Sequence, residues 1–451
     1  MLDASEIDGT QPNGGNGSSG HVRPIGQILI ETAGLRPEHL SEALERQKLL
    51  AAKHRYYLVG RILIGLGYVN ASQVNRALDL QQKASAADAA PPARSKTPKA
   101  TSKRAEAWQV VTEYGAVRPV SALQSLAVMD EKVAAGELET MLPVPLGFDP
   151  LDEALGGGLR PRELLLLGGA QGVGKTTMAF QMARNIAASE EANCLYVCYE
   201  HDEENLTQRL LAMESVDPYS NDFQLGLTVR DLTHQIMAGR RRGNEGLYDL
   251  LQSDPRSAVA LERVRHYGQR LFLLKGSSAG TTLAALTSLV EAHRVRSDER
   301  LVLFVDYLQK VPVVPEPPTE DERVTKVVEG LKELAMSHEI PVVAVVASDR
   351  EGLKAKRMRA HHFWGGSALA YEADIILMLT DKYDAVARVH IEFNPHKAQS
   401  YRDWIVCSIE KNRSGRDVVD MEFEKRFSYC CLNPNGNFVT EKLIDERVYV
   451  E

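Results

Sequence analysis

Hydrophobic residues are arranged in two different ways along this chain. From about residue 140 onward, short apolar runs alternate with amphipathic stretches. Leu164-Leu165-Leu166-Leu167, Cys194 through Tyr199 and Leu301 through Val305 hold no charge. Such runs fit strands buried on both faces of a sheet. Alternating with helices of 3.6-residue period, they predict an α/β body at 137–451. The front has no such runs. Residues 23–82 carry a helical period and repeat it: Gly26-Gln27-Ile28-Leu29-Ile30 matches Gly60-Arg61-Ile62-Leu63-Ile64 at an offset of 34. Leu40, Ala43, Leu44 and Gln47 match Val74, Ala77, Leu78 and Gln81 at the same offset. A small all-helical tandem-repeat domain is predicted, its two copies sharing one core. Pro37 and Ser72 fit helix starts.

The stretches between these units have no apolar period. Residues 1–22 are rich in Gly, Asn and Ser and predict a disordered tail. Residues 83–103, KASAADAAPPARSKTPKATSK, predict a flexible linker. A helical stretch is expected over 104–136.

Composition narrows the class of protein. The chain has 451 residues, 44% of them apolar, enough for a large core. Five cysteines and the lack of a signal-like start argue against a disulfide scaffold and predict a reducing, cytoplasmic setting. No run of 18 apolar residues suggests a membrane span. The net charge of −8 excludes a uniformly basic nucleic-acid coat but not a local basic patch. Residues 23–82 hold eight basic and five acidic side chains, so the acidity lies in the body.

The most specific chemical signal follows the first apolar run. Gly169-Ala170-Gln171-Gly172-Val173-Gly174-Lys175-Thr176 reads G-x-x-x-x-G-K-T between a predicted strand and a predicted helix, with Thr177 beside it. Glycines let backbone N–H groups close around phosphates. Lys175 is placed to reach the β- and γ-phosphates and Thr176 to offer its hydroxyl to Mg²⁺. ATP and Mg²⁺ are therefore the expected cofactors. Two further runs end in carboxylates. Asp306 is the candidate Mg²⁺ carboxylate and Glu200 the candidate residue for polarising the attacking water. Cys194 and Cys198 read as buried small residues rather than a redox pair. Neither Cys430-Cys431 nor His361-His362 has the surroundings of a metal site.

Taken in order, the motifs of residues 140–440 resemble the C-terminal motor of replicative DnaB-type hexameric helicases, within the RecA-like ATPases. The resemblance rests on Leu146 through Asp152 with Gly156-Gly157-Gly158-Leu159, on Tyr199-Glu200-His201, and on Val305-Asp306-Tyr307-Leu308-Gln309. Ile340 through Ala344, Gly366 through Leu369, Ala373-Asp374-Ile375-Ile376 and Lys411-Asn412-Arg413-Ser414-Gly415 extend it. It implies a homo-hexameric ring in which Arg413, accompanied by Lys411, reaches the γ-phosphate bound by the neighbouring subunit. It also implies a linker helix near 106–133 that packs on that neighbour. Residues 23–82 resemble the N-terminal domain of type II secretion and type IV pilus assembly ATPases. Some of those domains bind a cyclic dinucleotide through an Arg two residues before each repeat glycine. Pro24 and Leu58 stand at those positions here. This argues against that ligand and for a protein partner.

The body departs from the helicases in two places. Ala347 stands where they carry a nucleotide-sensing Gln. The segment from Lys310 to Glu322, where they place a DNA-contacting loop, holds four acidic residues, four prolines and one Lys. Carboxylates repel phosphate, so this loop is a poor DNA grip. Lys354, Lys356, Arg357 and Arg359 form a basic cluster suited to holding single-stranded DNA by its phosphates. Two readings remain: a ring motor that translocates on DNA, and a ring ATPase that remodels or positions a protein through its front domain.

Overall fold

A computed structural model describes residues 25–51, 110–112, 115–117, 119–137, 141–217, 226–241, 243, 246–365, 367–386 and 395–444, with Val59, Leu63, Tyr68, Val69, Arg76 and Ala77. The segments expected to be a disordered tail (1–22) and a linker (83–103) lie outside the described residues. The chain divides into two compact units, 1–120 and 121–451.

In the first unit, helix Ile25–Ala33 turns through Gly34, at φ +67°, into helix Pro37–Ala51. Its core brings together Leu29 with Leu63, Leu35 with Val69, and Ala43 with Ala77, each pair 34 residues apart. The ring of Tyr68 stacks on His39 at 3.9 Å, and its hydroxyl donates to Glu42 at 2.6 Å.

The expected helix over 104–136 needs correction. Residues Val110–Thr112 (β1) and Gly115–Val117 (β2) form an antiparallel hairpin. Three valines and a threonine favour extended backbone. Helix begins only at Ala122 and runs to Ala135, in the second unit. Ser121 and Gln124 form a capping box at its start, and Gly136, at φ +81°, closes its end. This helix buries none of its residues, and Leu123, Leu126, Val128, Met129 and Val133 are exposed.

The second unit is built on one large sheet. Its strands are Leu164–Gly169 (β3), Asn193–Cys198 (β4), Leu271–Lys275 (β5), Leu301–Asp306 (β6), Val342–Val345 (β7), Ile375–Asp381 (β8), Trp404–Asn412 (β9), Val419–Arg426 (β10), Cys431–Leu432 (β11) and Asn437–Phe438 (β12). The order is β11-β10-β9-β8-β3-β7-β6-β4-β5, with β12 also paired to β10. From β8 to β5 all neighbours are parallel; β8 to β9 and beyond is antiparallel. Leu165 and Leu167 enter one core, with helix Lys175–Ala188, while Leu164 and Leu166 enter the other, with helix Glu320–Ser337. Successive side chains of a strand face opposite ways, so an uninterrupted leucine run serves both cores. Parallel pairing also sets the functional geometry: all C-terminal strand ends gather on one edge of the sheet, where ligands of open α/β sheets bind.

Candidate functional site

Three loops meet at that edge. The first runs from β3 into helix Lys175–Ala188. Gly169 takes φ +153°, and a Cβ there would lie 2.6 Å from the Leu379 carbonyl oxygen. Gly174 takes φ +104° as the residue before the helix, and a Cβ would meet the Phe427 ring at 2.6 Å. Only glycine fits both places. Gly174 offers no side chain to cap the helix, so the N–H groups of the first turn stay available to an anion. Ala170 and Val173 close the loop by a backbone bond of 3.4 Å, and Gln171 and Gly172 are exposed. Lys175 folds back over the loop, Nζ donating to the carbonyls of Gly169 and Ala170 at 2.9 Å each. Burial holds its pKa below the usual lysine value, opposed by the charges of Asp306 and Glu200.

The second and third loops supply these carboxylates. Tyr199 N–H donates to the Asp306 carbonyl at 2.7 Å, which sets the ends of β4 and β6 side by side. Asp306 is 1% exposed; Tyr196 Oη donates to its Oδ2 at 2.9 Å and the Thr176 hydroxyl also bonds it. Burial raises its pKa, and both hydroxyls and the Lys175 charge oppose the rise. Glu200 is exposed just beyond Tyr199. A buried carboxylate bonded to a helix-start threonine, beside an amine resting on loop carbonyls, fits a magnesium–triphosphate. Thr176 and Asp306 would hold the metal, which would neutralise phosphate charge.

Beside the loop lies a cavity of about 500 Å³, lined by Asn205, Arg209, Thr228, Phe427 and Cys430 among others. Arg209 and Cys430 of its wall also pack beside Thr176 and Thr177 of the phosphate loop. Arg209 Nε donates to Asn205 Oδ1 at 2.8 Å, which sets its guanidinium on the wall. The sequence reading missed this cavity. Its walls come from helix Glu203–Glu214 and from the turn after β10, more than 200 residues apart, and no short motif spans them.

Arg413 and Lys411 lie elsewhere. They end β9, which is antiparallel to β8, so they sit where β3 and β8 begin. Arg413 Nη1 donates to Asp374 Oδ1 at 3.2 Å and Nη2 to the Tyr371 carbonyl at 2.7 Å; its side chain is 51% exposed. Lys411 Nζ donates to the Ala370 carbonyl at 2.7 Å, and burial, then the Arg413 charge, lower its pKa. The six residues of β3 separate this cluster from the phosphate loop by about 17 Å of strand rise. Within one subunit the two groups do not meet.

The four residues of the basic cluster do not share one environment. Lys354 and Lys356 are exposed. Arg357 is 6% exposed, its Nη2 donating to Asp420 at 2.5 Å and to Ser408 at 3.3 Å. Arg359 Nη1 donates to Glu410 at 2.6 Å. Carboxylates on β9 and β10 that face inward require cations, and these arginines meet that need. The acidic loop keeps Glu316, Glu320, Asp321 and Glu322 exposed. The last three form the first turn of helix Glu320–Ser337, where negative charge suits the helix dipole. At Ala347 the backbone is clasped by Gln309: Ala347 N–H donates to Oε1 at 3.1 Å, while Nε2 donates to the Trp364 carbonyl at 2.8 Å.

Residues 143–242 and 257–430 match the family described as the DnaB-like helicase C-terminal domain. The chain belongs to this family. It is 25% identical over 279 residues to the replicative DNA helicase DnaB of Rickettsia bellii, covering 58% of this chain and 50% of that one. It is 24% identical over 290 residues to the replicative DNA helicase DnaC of Bacillus subtilis, covering 63% and 55%. A DNA repair protein RadA of Rickettsia felis matches over 119 residues at 28% identity, 26% of each chain. The chain thus spans about half the length, or less, of the curated relatives it matches. Among solved structures, a DnaB-like replicative helicase described with its primase interactions aligns at TM-score 0.51 and 17% identity, over 90% of this chain and 97% of that one. A solved ATPase domain aligns at TM-score 0.53 and 18% identity, over 72% and 100%. At these identities the two structures speak for the fold alone. Among the described residues no helix is long and apolar enough to cross a membrane.

Proposed function

We propose that this chain is a Mg²⁺-dependent ATPase that works as a homo-hexameric ring motor on single-stranded DNA. The observation that carries the reading is the separation of its chemistry. Lys175, Thr176, Asp306 and Glu200 gather at one edge of the sheet, and Arg413 with Lys411 at the other. A subunit built this way has Lys175 but no arginine finger for its own γ-phosphate and offers one outward, as a closed ring of head-to-tail contacts requires. In this reading, amides of residues 169–176 and Lys175 grip the triphosphate. The base lies in the cavity between Arg209 and Phe427. Glu200 polarises water for in-line attack, and the neighbour's guanidinium stabilises the charge that spreads over the transferred phosphoryl group. The exposed apolar face of helix Ala122–Ala135 packs on the adjoining subunit.

Mixed rings test the assignment. Glu200→Gln and Arg413→Ala subunits are each inactive alone; mixed, they regain turnover at interfaces that pair an intact pocket with an intact finger. Mixtures as inactive as their components would sink the trans arrangement. Stimulation of ATP hydrolysis by single-stranded DNA, measured across a salt series, tests the DNA track.

A second reading has its own support: a ring that remodels or positions a protein through residues 23–82. With Arg357 and Arg359 paired to carboxylates, only Lys354 and Lys356 of the cluster remain exposed, against four exposed acids in the segment from Lys310 to Glu322. DNA that fails to stimulate hydrolysis even at low salt decides for this reading. In both, the front unit is a tandem-repeat adaptor of the secretion-ATPase type, at 23–82, that binds a protein partner rather than a cyclic dinucleotide.

A further inference from the structure

The finger is held by one carboxylate that also holds the strand leading to the phosphate loop. Asp374 is 6% exposed at the start of β8. Its Oδ1 accepts from Arg413 Nη1 at 3.2 Å. Its Oδ2 accepts from the backbone N–H of Leu164, the first residue of β3, at 2.8 Å, and from Lys332 Nζ at 2.7 Å. The backbone joins in: Asp374 N–H donates to the Leu164 carbonyl at 2.9 Å, and Arg413 N–H donates to the Asp374 carbonyl at 3.0 Å. Lys332 itself is anchored on the Arg162 carbonyl at 2.9 Å. A single buried side chain therefore ties together the tip of β9, the base of β3 and helix Glu320–Ser337.

This arrangement answers a physical difficulty. Burial, then the nearby Arg413 charge, depress the Lys411 pKa, and Lys332 adds a third cation, with Asp374 and Glu372 opposing them. An arginine half in solvent among like charges would swing away from them and sample many rotamers. The tether to Asp374, with the Tyr371 carbonyl as second acceptor, confines the guanidinium while leaving part of it exposed. A finger confined before the neighbour's phosphate arrives loses less entropy on engaging it.

We propose that Asp374 is the positioning residue for the finger, holding Arg413 in the orientation it presents to the adjoining subunit. The proposal rests on the trans reading of Arg413. Asp374→Asn keeps an acceptor for the Leu164 amide and removes the charge that holds the guanidinium. Its kcat for ATP falls by roughly tenfold to a hundredfold, while its affinity for nucleotide, which belongs to the other edge of the sheet, is unchanged. Mixing Asp374→Asn with Glu200→Gln subunits, whose fingers are intact, restores turnover at the mutant pockets. Asp374→Glu, which keeps the charge one methylene farther out, gives an intermediate kcat with wild-type affinity and covers the case in which the asparagine variant does not fold. Lost nucleotide affinity, or mixtures that regain nothing, would mean that Asp374 merely supports its own β3 and would overturn the proposal. If Arg413→Ala keeps full turnover, the trans reading fails and this proposal with it. If Arg413→Ala is inactive and Asp374→Asn is fully active, only the proposal fails.

Discussion

The two edges of the parallel sheet solve opposite problems with charge. At the C-terminal edge, a half-buried amine and a buried carboxylate sit close together, each with its charged form disfavoured by burial and partly restored by the other. Both side chains are occupied by local hydroxyls and carbonyls, an arrangement poised to exchange those partners for a phosphate and a metal. At the N-terminal edge, three cations gather around Asp374, with Glu372 also near Lys411, and the arginine is left half exposed. The first edge is an enclosed receptor; the second is an outward-facing probe. The contrast teaches that a site can be complete in residues yet incomplete in any single copy of the chain.

Substitutions that strike one edge and spare the other test this contrast. Lys175→Ala has the largest expected effect, removing tight ATP binding and more than about 10³-fold of turnover together; calorimetry and a phosphate-release assay check it, and wild-type rates would sink the phosphate-loop assignment. Arg413→Ala lowers turnover by about 10³-fold with nucleotide affinity intact. A parallel loss of affinity in that variant would place the arginine at its own pocket instead. Arg357→Ala separates scaffold from surface: Asp420 then keeps only the Ser408 hydroxyl, which costs about 2 kcal/mol in denaturant unfolding, whereas Lys356→Ala changes stability by less than about 0.5 kcal/mol. Equal stabilities would return Arg357 to the candidate DNA contacts. Phe427→Ala weakens nucleotide binding by about tenfold, or about 1.4 kcal/mol, without touching either carboxylate; an unchanged Kd would move the base out of the cavity beside Arg209. The smallest effect is expected of Lys354→Ala with Lys356→Ala, which reduces the salt dependence of DNA binding by about two ions. An unaltered slope would remove this loop from the DNA track.

Much of the C-terminal edge was legible in the sequence because its chemistry is local. G-x-x-x-x-G-K-T spans eight residues, and a strand entering it fixes where its amides point. Asp306 and Glu200 each end an apolar run, and parallel pairing brings such ends together. The Arg209–Phe427 cavity was not legible, since it joins segments far apart in the chain. The basic cluster divides for a related reason. Lys354, Lys356, Arg357 and Arg359 look alike as a run of charges, but Asp420 and Glu410, some 50 to 60 residues later, withdraw two of them. The hairpin at 110–117 was hidden by the helical residues that follow it, where the capping box at Ser121 marks the true start.

By itself, the sequence determined which backbone could wrap a phosphate, which strands had to be buried on both faces and where strand ends carry charge, because these depend on neighbours a few residues apart. Only the tertiary structure decided which charges remain free. Partners such as Asp374 and Arg413 meet through strand pairing, and a side chain's availability depends on whether folding has already supplied its counter-charge.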